Sequence, residues 1–365
     1  MSILVIFLLA AFLLVMQRYI YGIFWARGLQ ADAWFERGAV TEGDTTVLHE
    51  MIVNAKWLPL PVIHFLLQTD RQLSFNGESK SNTTVSDQNY RIDVYALMPW
   101  QKVSRSLTFC ARKRGYYPVR ELSLECRDLF FKKFPSRKMP VNTWMYVYPK
   151  MVFTEELDLT FQKLMGEILV RRRFLEDPYA FSGIREYQTY DTMRQINWKA
   201  TAKTGELRVN HCQSTVSCKA VLLLDVRLPH VSDAEEQVEQ CIRIAAAFGM
   251  LCREAGIPFA LYTNGVNRDG IQGDLKASAG DAHMQSFMET LACLDVQETD
   301  RRERALIEKE RQEKTILGSS RYFIQYAQQR SGEDSVFVYF SADMGEPFLQ
   351  CQRQIGCFWL AANDR

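Results

Sequence analysis

The chain lacks most of the features by which a sequence discloses its chemistry. Its nine cysteines include no C-x-x-C pair, which argues against a zinc ribbon or a disulfide framework and fits buried thiols in a reducing compartment. Lys and Arg number 44 against 43 Asp and Glu, so there is no global excess of positive charge to attract nucleic acid, and any charged partner is met locally. No G-x-S-x-G, H-E-x-x-H or phosphate-cradling glycine loop occurs, and His49, His64, His230 and His283 show no metal-ligand spacing. His211 and Cys212 are adjacent, but neighbours on a strand point to opposite faces and do not make a nucleophile–base pair. No internal repeat is visible. What remains is 365 residues at 47% hydrophobic content, enough for two or three domains with cores of their own.

The N-terminal stretch is the first positive signal. Ile3 to Trp25 is apolar apart from Gln17-Arg18, and 23 residues at about 1.5 Å each match a bilayer core of roughly 30 Å. Arg18 can snorkel to an interface. A cleaved signal peptide would carry positive charge before the apolar run and small residues after it, and neither is seen. Arg18, Arg27 and Arg37 follow the span whereas no basic side chain precedes it, so a single-pass anchor with the body in the cytoplasm is expected.

From Val40 to Tyr148 the hydrophobic period is mostly two, as in TTVLHEMIV and YRIDVYAL, interrupted by the polar loop NGESKSNTTVSDQN. Such runs predict an antiparallel β-sandwich or barrel. A helix is expected over EELDLTFQKLMGEILVRRRF, with Leu157, Phe161, Leu164 and Ile168 on one face. Beyond it the pattern alternates strand and helix. Ala220–Leu224 and IPFALYT read as strands covered on both faces, Glu235–Glu254 as a helix ending at Gly256, and VFVYF and CFWLAA as late strands. A further helix is expected over about His283–Cys293, and the run TDRRERALIEKERQEK reads as a solvated helix face. This rhythm predicts a doubly wound, largely parallel sheet. The expected fold is therefore α+β and multidomain: a transmembrane anchor over 1–28, a β-sandwich-like domain over 38–153, a helix plus connector over 154–217, and an α/β domain over 218–365.

Between the helix and the first buried strand lies GIREYQTYDTMRQINWKATAKTGELRV, Gly183 to Val209. Asp191 is placed to cap a short helix from about Thr192 to Lys203, with Met193, Ile196 and Ala200 on its apolar face and Gly205 as its terminator. GELRVN then reads as an edge strand, and Trp198 lies off the apolar stripe, free to pack across to a second surface. Two readings stay open. Arg185, Arg194, Lys199 and Lys203 could present donors around an aromatic shelf to an anionic or protein partner. Equally, Glu186 and Asp191 could hold Arg185 and Arg194, leaving a structural connector.

The same stretch resembles the signature of the bacterial family called domain of unknown function 58, R-[DE]-Y-x-x-G-D-x-x-R-x-I-x-W followed by a small, basic segment and a strand. The matching residues are Arg185, Glu186, Tyr187, Asp191, Arg194, Ile196 and Trp198, then Lys199 to Lys203, Leu207 and Val209. Tyr190 stands where the family usually has glycine. VNAKWLPLPV, RGYYPVREL and VYP occur in the family's order, so the likeness covers nearly the whole chain. Family members commonly start with two membrane segments, and one is counted here. The resemblance implies a von Willebrand factor A-like C-terminal domain and partnership with AAA+ ATPases of the MoxR type, which are thought to act as chaperones.

Von Willebrand A domains hold a metal with D-x-S-x-S above their first strand. The matching run here is Asp225-Val226-Arg227-Leu228-Pro229, in which both serine positions are lost, so Asp225 is expected to cap a loop or pair with Arg227 rather than bind Mg²⁺. No cofactor is expected. The leading expectation is a non-enzymatic, membrane-anchored adaptor that docks a protein partner, a MoxR-type AAA+ ATPase by resemblance, through Arg185, Glu186, Tyr187, Asp191, Arg194, Trp198, Lys199 and Lys203. The alternative is a hydrolase or transferase using Asp191, Arg194 and Lys199 on an anionic substrate. A third reading is metal-dependent adhesion through Asp225.

Overall fold

The computed structural model describes residues 2–68, 73–75, 84–86, 90–128, 133–174, 176–189, 191–214, 218–229, 233–313, 335–342 and 358–361. They divide into two compact units, Met1–Lys150 and Met151–Arg365.

The first unit begins with helix α1, Ser2–Phe24. Among the described residues it is the one helix long and apolar enough to cross a membrane, with a mean hydropathy of 2.0 over Leu4–Phe24. Its early side chains, from Leu4 to Met16, are exposed, whereas Tyr21 and the following Trp25 are buried in the unit's core.

Ten strands follow: β1 (Leu29–Phe35), β2 (Ala39–Thr41), β3 (Thr45–Asn54), β4 (Leu60–Gln68), β5 (Leu73–Phe75), β6 (Thr84–Ser86), β7 (Tyr90–Leu97), β8 (Lys102–Ala111), β9 (Gly115–Arg127) and β10 (Arg137–Tyr148). They form two sheets, ordered β1-β3-β8-β5 and β2-β10-β9-β4-β7-β6. Pairing is antiparallel except between β2 and β10, which run parallel over Ala39–Thr41. Strand β1 starts at Leu29, ahead of the position 38 at which the β-region was expected to begin, and pairs with β3 along its whole length. Side chains of both sheets meet in one core, which includes Leu48, Ile52, Phe65, Phe109, Leu124 and Val147. Each large apolar side chain covered in this way contributes about 2 kcal/mol of transfer free energy.

The alternation of β3 also carries Thr46, Glu50 and Asn54 inward, three polar residues on a buried face. Glu50 is met by Tyr95 of the other sheet, whose hydroxyl donates to it at 2.5 Å. Asp93 on β7 accepts from its neighbour Arg91 at 2.7 Å and, across the sheets, from Arg105 on β8 at 2.8 Å. A polar network thus ties the two sheets inside an otherwise apolar core.

The second unit opens with α2 (Glu155–Phe174), started by the Thr154 hydroxyl, which accepts from the Leu157 amide at 3.2 Å. Strand β11 (Glu176–Glu186) and strand β12 (Arg208–Ser214) form an antiparallel pair, and the intervening chain holds a 3-10 turn at Met193–Gln195 and helix α3 (Trp198–Thr204). The remaining elements are β13 (Lys219–Leu224), α4 (Ala234–Glu254), β14 (Phe259–Thr263), β15 (Val266–Asn267), β16 (Leu275–Ser278), α5 (Asp281–Cys293), β17 (Leu294–Asp295), α6 (Val296–Glu313), β18 (Ser335–Ser341) and β19 (Phe358–Ala361).

The main sheet is ordered β16-β14-β13-β18-β19, with β14, β13, β18 and β19 parallel and β16 an antiparallel edge. Strands β14 and β18 are buried at every position and β13 nearly so, as strands covered on both faces must be. Helix α4 buries Val238, Cys241, Ile242, Ala245, Phe248 and Cys252, the three-to-four spacing of one helix stripe. Phe248 stands edge-on to Phe161 of α2 at 5.7 Å and to Phe340 of β18 at 5.6 Å. Helix α2 is therefore packed into the second unit.

Six described cysteines carry free thiols, and burial pushes those of Cys126, Cys241 and Cys252 up to about 12. His211 and Cys212 lie on β12 with side chains outside the described residues, as are Tyr190 and His230 altogether.

Candidate functional site

The signature stretch is the far end of the β11–β12 hairpin. Asn197 fixes its shape. Its backbone amide donates to the Arg208 carbonyl at 2.8 Å, its side-chain nitrogen donates to Asn210 at 2.7 Å, and its side-chain oxygen caps α3 by accepting from the Ala200 amide at 3.0 Å. The expected continuous helix from Thr192 to Lys203 is consequently broken. Ile196 bridges Val209 in extended conformation, with ψ 126°, and is buried, so the chain leaves the 3-10 turn, crosses β12 and restarts as α3. Asn197, not Asp191, is the cap. Met193, expected on the apolar face, is 72% exposed. Gly205 terminates α3 as expected, in the left-handed region at φ +75°.

Asp191 performs a different task. Arg185 grips it through both terminal nitrogens, at 2.6 and 2.7 Å, and the Gln188 amide donates to it at 2.8 Å. The Asp191 side chain is almost wholly covered, and hydrogen bonding from Arg185 holds its carboxyl below the usual carboxylate range. Glu186 is exposed and lies 3.5 Å from Arg208. Tyr187 is half-buried and its amide donates to the Leu207 carbonyl at 3.0 Å.

The eight predicted site residues therefore separate. Arg185 and Asp191 form an internal clasp beside Glu186 and Tyr187. Arg194, Trp198, Lys199 and Lys203 are exposed, and among the described residues the three cations have no hydrogen-bond or ion-pair partner. Trp198 is 62% exposed rather than packed on a second surface within the described residues. No hydrogen bond or ion pair joins Asp191 to Arg194 or Lys199 among the described residues.

A second buried polar centre lies at the carboxyl end of β13. The strand order turns back on itself between β13 and β18, the position at which open parallel sheets bind ligands. Asp225 follows β13 there. Arg227 donates to it from the side chain at 2.5–3.0 Å, Tyr339 of β18 at 2.7 Å and Asn264 at 2.9 Å. Burial alone would raise the Asp225 carboxyl, but Arg227 and the Tyr339 hydroxyl outweigh it and hold the group below its ordinary value. The donors around this carboxylate are a guanidinium, a phenol and an amide nitrogen. They fill the place of a cation and do not fit a Mg²⁺ shell, which is built from oxygen ligands. Among the described residues no group of His, Cys, Asp and Glu could hold a metal ion. Asn264 and Tyr339 escaped the sequence reading; the polar pair Thr263-Asn264 ending the apolar run FALY was the available signal.

The second unit is thus an α/β domain carrying a hairpin with a basic, aromatic tip. Residues 183–343 match the family model described as protein of unknown function DUF58. No curated protein matches. Among solved structures, the chain is similar to the full-length major pilin SpaD of Corynebacterium diphtheriae, at 14% identity over 32% of this chain and 34% of the pilin, with a TM-score of 0.25. It is also similar to a non-cellulosomal cohesin of Archaeoglobus fulgidus, at 13% identity over 36% of this chain and 96% of the cohesin, with a TM-score of 0.22. The sporulation control protein Spo0M of Bacillus subtilis matches at 12% identity over 44% of this chain and 58% of that one, with a TM-score of 0.19. The chain spans about a third of the pilin's length, and likenesses of this size carry no argument.

Proposed function

We propose that the protein is a non-enzymatic adaptor, anchored in the cytoplasmic membrane by α1 with both units in the cytoplasm, that docks a protein partner through the hairpin tip. The observation that carries this reading is the outward set Arg194, Lys199 and Lys203 around exposed Trp198 and Met193, held on a frame that the Arg185–Asp191 clasp and Asn197 make rigid. Exposed cations next to an exposed indole suit an acidic partner surface, since arginine binds carboxylates in register and tryptophan supplies the apolar anchor. The family resemblance makes a MoxR-type AAA+ ATPase the partner.

The first unit is read as a β-sandwich, supported by two sheets that share one core, and the second as a von Willebrand factor A-like domain, supported by its parallel strand order and the position of Asp225. The basic residues that follow α1 support the cytoplasmic orientation. Affinity capture from gently solubilised membranes tests the reading. Wild type is expected to retain an AAA+ ATPase and a folded Arg194→Ala, Trp198→Ala variant to lose it. Equal capture by both removes the tip as the docking surface.

A further inference from the structure

The two loops beside the end of α1 in the first unit carry three large side chains that are exposed among the described residues. Trp57 is 58% exposed, Met98 68% and Trp100 72%. They are held together by Asn54, whose side-chain nitrogen donates to the carbonyls of Leu58 and Met98, both at 2.9 Å, and by the Trp100 amide, which donates to the Lys56 carbonyl at 3.2 Å. Trp100 sits in the left-handed region at φ +61°, a conformation that costs free energy in any residue but glycine. A turn with no further role would place glycine there.

The same loops are fastened to the helix. The Tyr21 hydroxyl donates to the Pro59 carbonyl at 2.9 Å, and the Lys56 ammonium donates to the carbonyls of Trp25 and Arg27 at 2.7 and 2.9 Å. The Lys56 cation, on carbonyls just past Phe24, marks where the apolar span ends. Between the helix and the first loop runs a groove lined by Leu13, Leu14, Gln17 and Tyr21 on one side and Trp57 and Pro59 on the other, almost entirely apolar. Gln17 adds one covered amide nitrogen that meets no acceptor among the described residues.

We propose that Trp57, Pro59, Met98 and Trp100 form a foot inserted into the bilayer, with lipid acyl chains occupying the groove against α1. This rests on the reading of α1 as a membrane span. Its length decides the depth. Leu4–Phe24 is 21 residues, about 31 Å of helix, which matches a hydrocarbon core of roughly 30 Å only if nearly all of it is immersed. Loop 57–59 lies alongside residues 13–21 of that span, and is therefore carried below the surface with it. Pro59 meets the span at Tyr21, within one helical turn of its end at Phe24, so the exposed tryptophans beside it lie near the membrane interface, where such side chains settle.

The test uses the full chain reconstituted in phosphatidylcholine vesicles, with and without lipid brominated along its acyl chains, and compares wild type with a Trp57→Phe, Trp100→Phe variant whose circular dichroism matches wild type. Brominated lipid is expected to quench the wild-type tryptophan emission, and the quenched amount is expected to fall in the variant. Equal quenching of both, in protein that alkaline carbonate does not extract, overturns the foot while the anchor stands. Extraction of the wild-type chain by carbonate overturns the anchor and the foot together.

Discussion

Arg185 and Asp191 meet end to end, two nitrogens on two oxygens, inside the turn that closes the β11–β12 hairpin. The clasp holds the turn from which the outward side chains of the tip project. Arg185→Ala leaves Asp191 with the Gln188 amide and no counter-charge. Because Arg185 is about one-third exposed, solvent screens part of the loss, and the expected cost is about 1–2 kcal/mol. The folded Asp191 titrates below its unfolded value. Its contribution is therefore present above the unfolded value, about 4, and lost as pH falls through the lower folded one. The variant should lose that acid-side dependence. Amide hydrogen exchange of Ile196 and Asn197 checks this: faster exchange in the variant supports the clasp, and unchanged rates at both amides rule it out.

The break in the expected helix shows where local reasoning stops. A cap at Asp191 followed by Met193, Ile196 and Ala200 satisfies every local rule. The chain does otherwise because Ile196 finds a bridge at Val209 and Asn197 finds Asn210, partners supplied by a strand that arrives later in sequence. Strand β11 was likewise illegible, since Pro178 and Gly183 punctuate it and its register slips between Glu176 and Phe181 and again between Phe181 and Gly183. The strands β13, β14 and β18 were legible because burial on both faces leaves an uninterrupted apolar run. In the site, the pairing of Asp225 with Arg227 was readable from two residues of spacing. Tyr339 and Asn264, which complete that centre, come from neighbouring strand ends.

Glu50 gives the first unit a pH dependence opposite in sign to that of Asp191. Burial, and then the charge of Asp93, push its carboxyl up to about 7, against which the Tyr95 hydroxyl, Arg91 and Arg105 pull it down. The folded state thus binds a proton that the unfolded chain has released. Stability is expected to be greatest below the unfolded value of 4.5, to fall by up to roughly 3 kcal/mol as pH rises to about 7, and to level off above it. Glu50→Gln keeps an acceptor for Tyr95 and removes the titration. Melting temperatures between pH 4.5 and 8 should fall in wild type relative to this variant, and parallel curves would place the proton elsewhere.

Arg227 supplies the positive charge against the buried Asp225 carboxylate, and two measurements follow from that. Asp225 is 1% exposed, so Arg227→Met strands a charge in the interior at an expected cost of about 3 kcal/mol, reduced somewhat because Arg227 itself reaches solvent. Asp225→Asn in the same chain should restore part of the loss, since the amide leaves no charge to compensate and keeps an acceptor for Tyr339. Millimolar Mg²⁺ should leave the melting temperature of wild type unchanged, because the guanidinium already neutralises the carboxylate. The Arg227→Met chain separates the two ways of satisfying Asp225: recovery by Asp225→Asn with no response to Mg²⁺ marks a purely internal ion pair. A melting temperature in wild type that rises with Mg²⁺ would show that the carboxylate is open to metal after all, and would overturn the assignment of Arg227 as its fixed counter-ion.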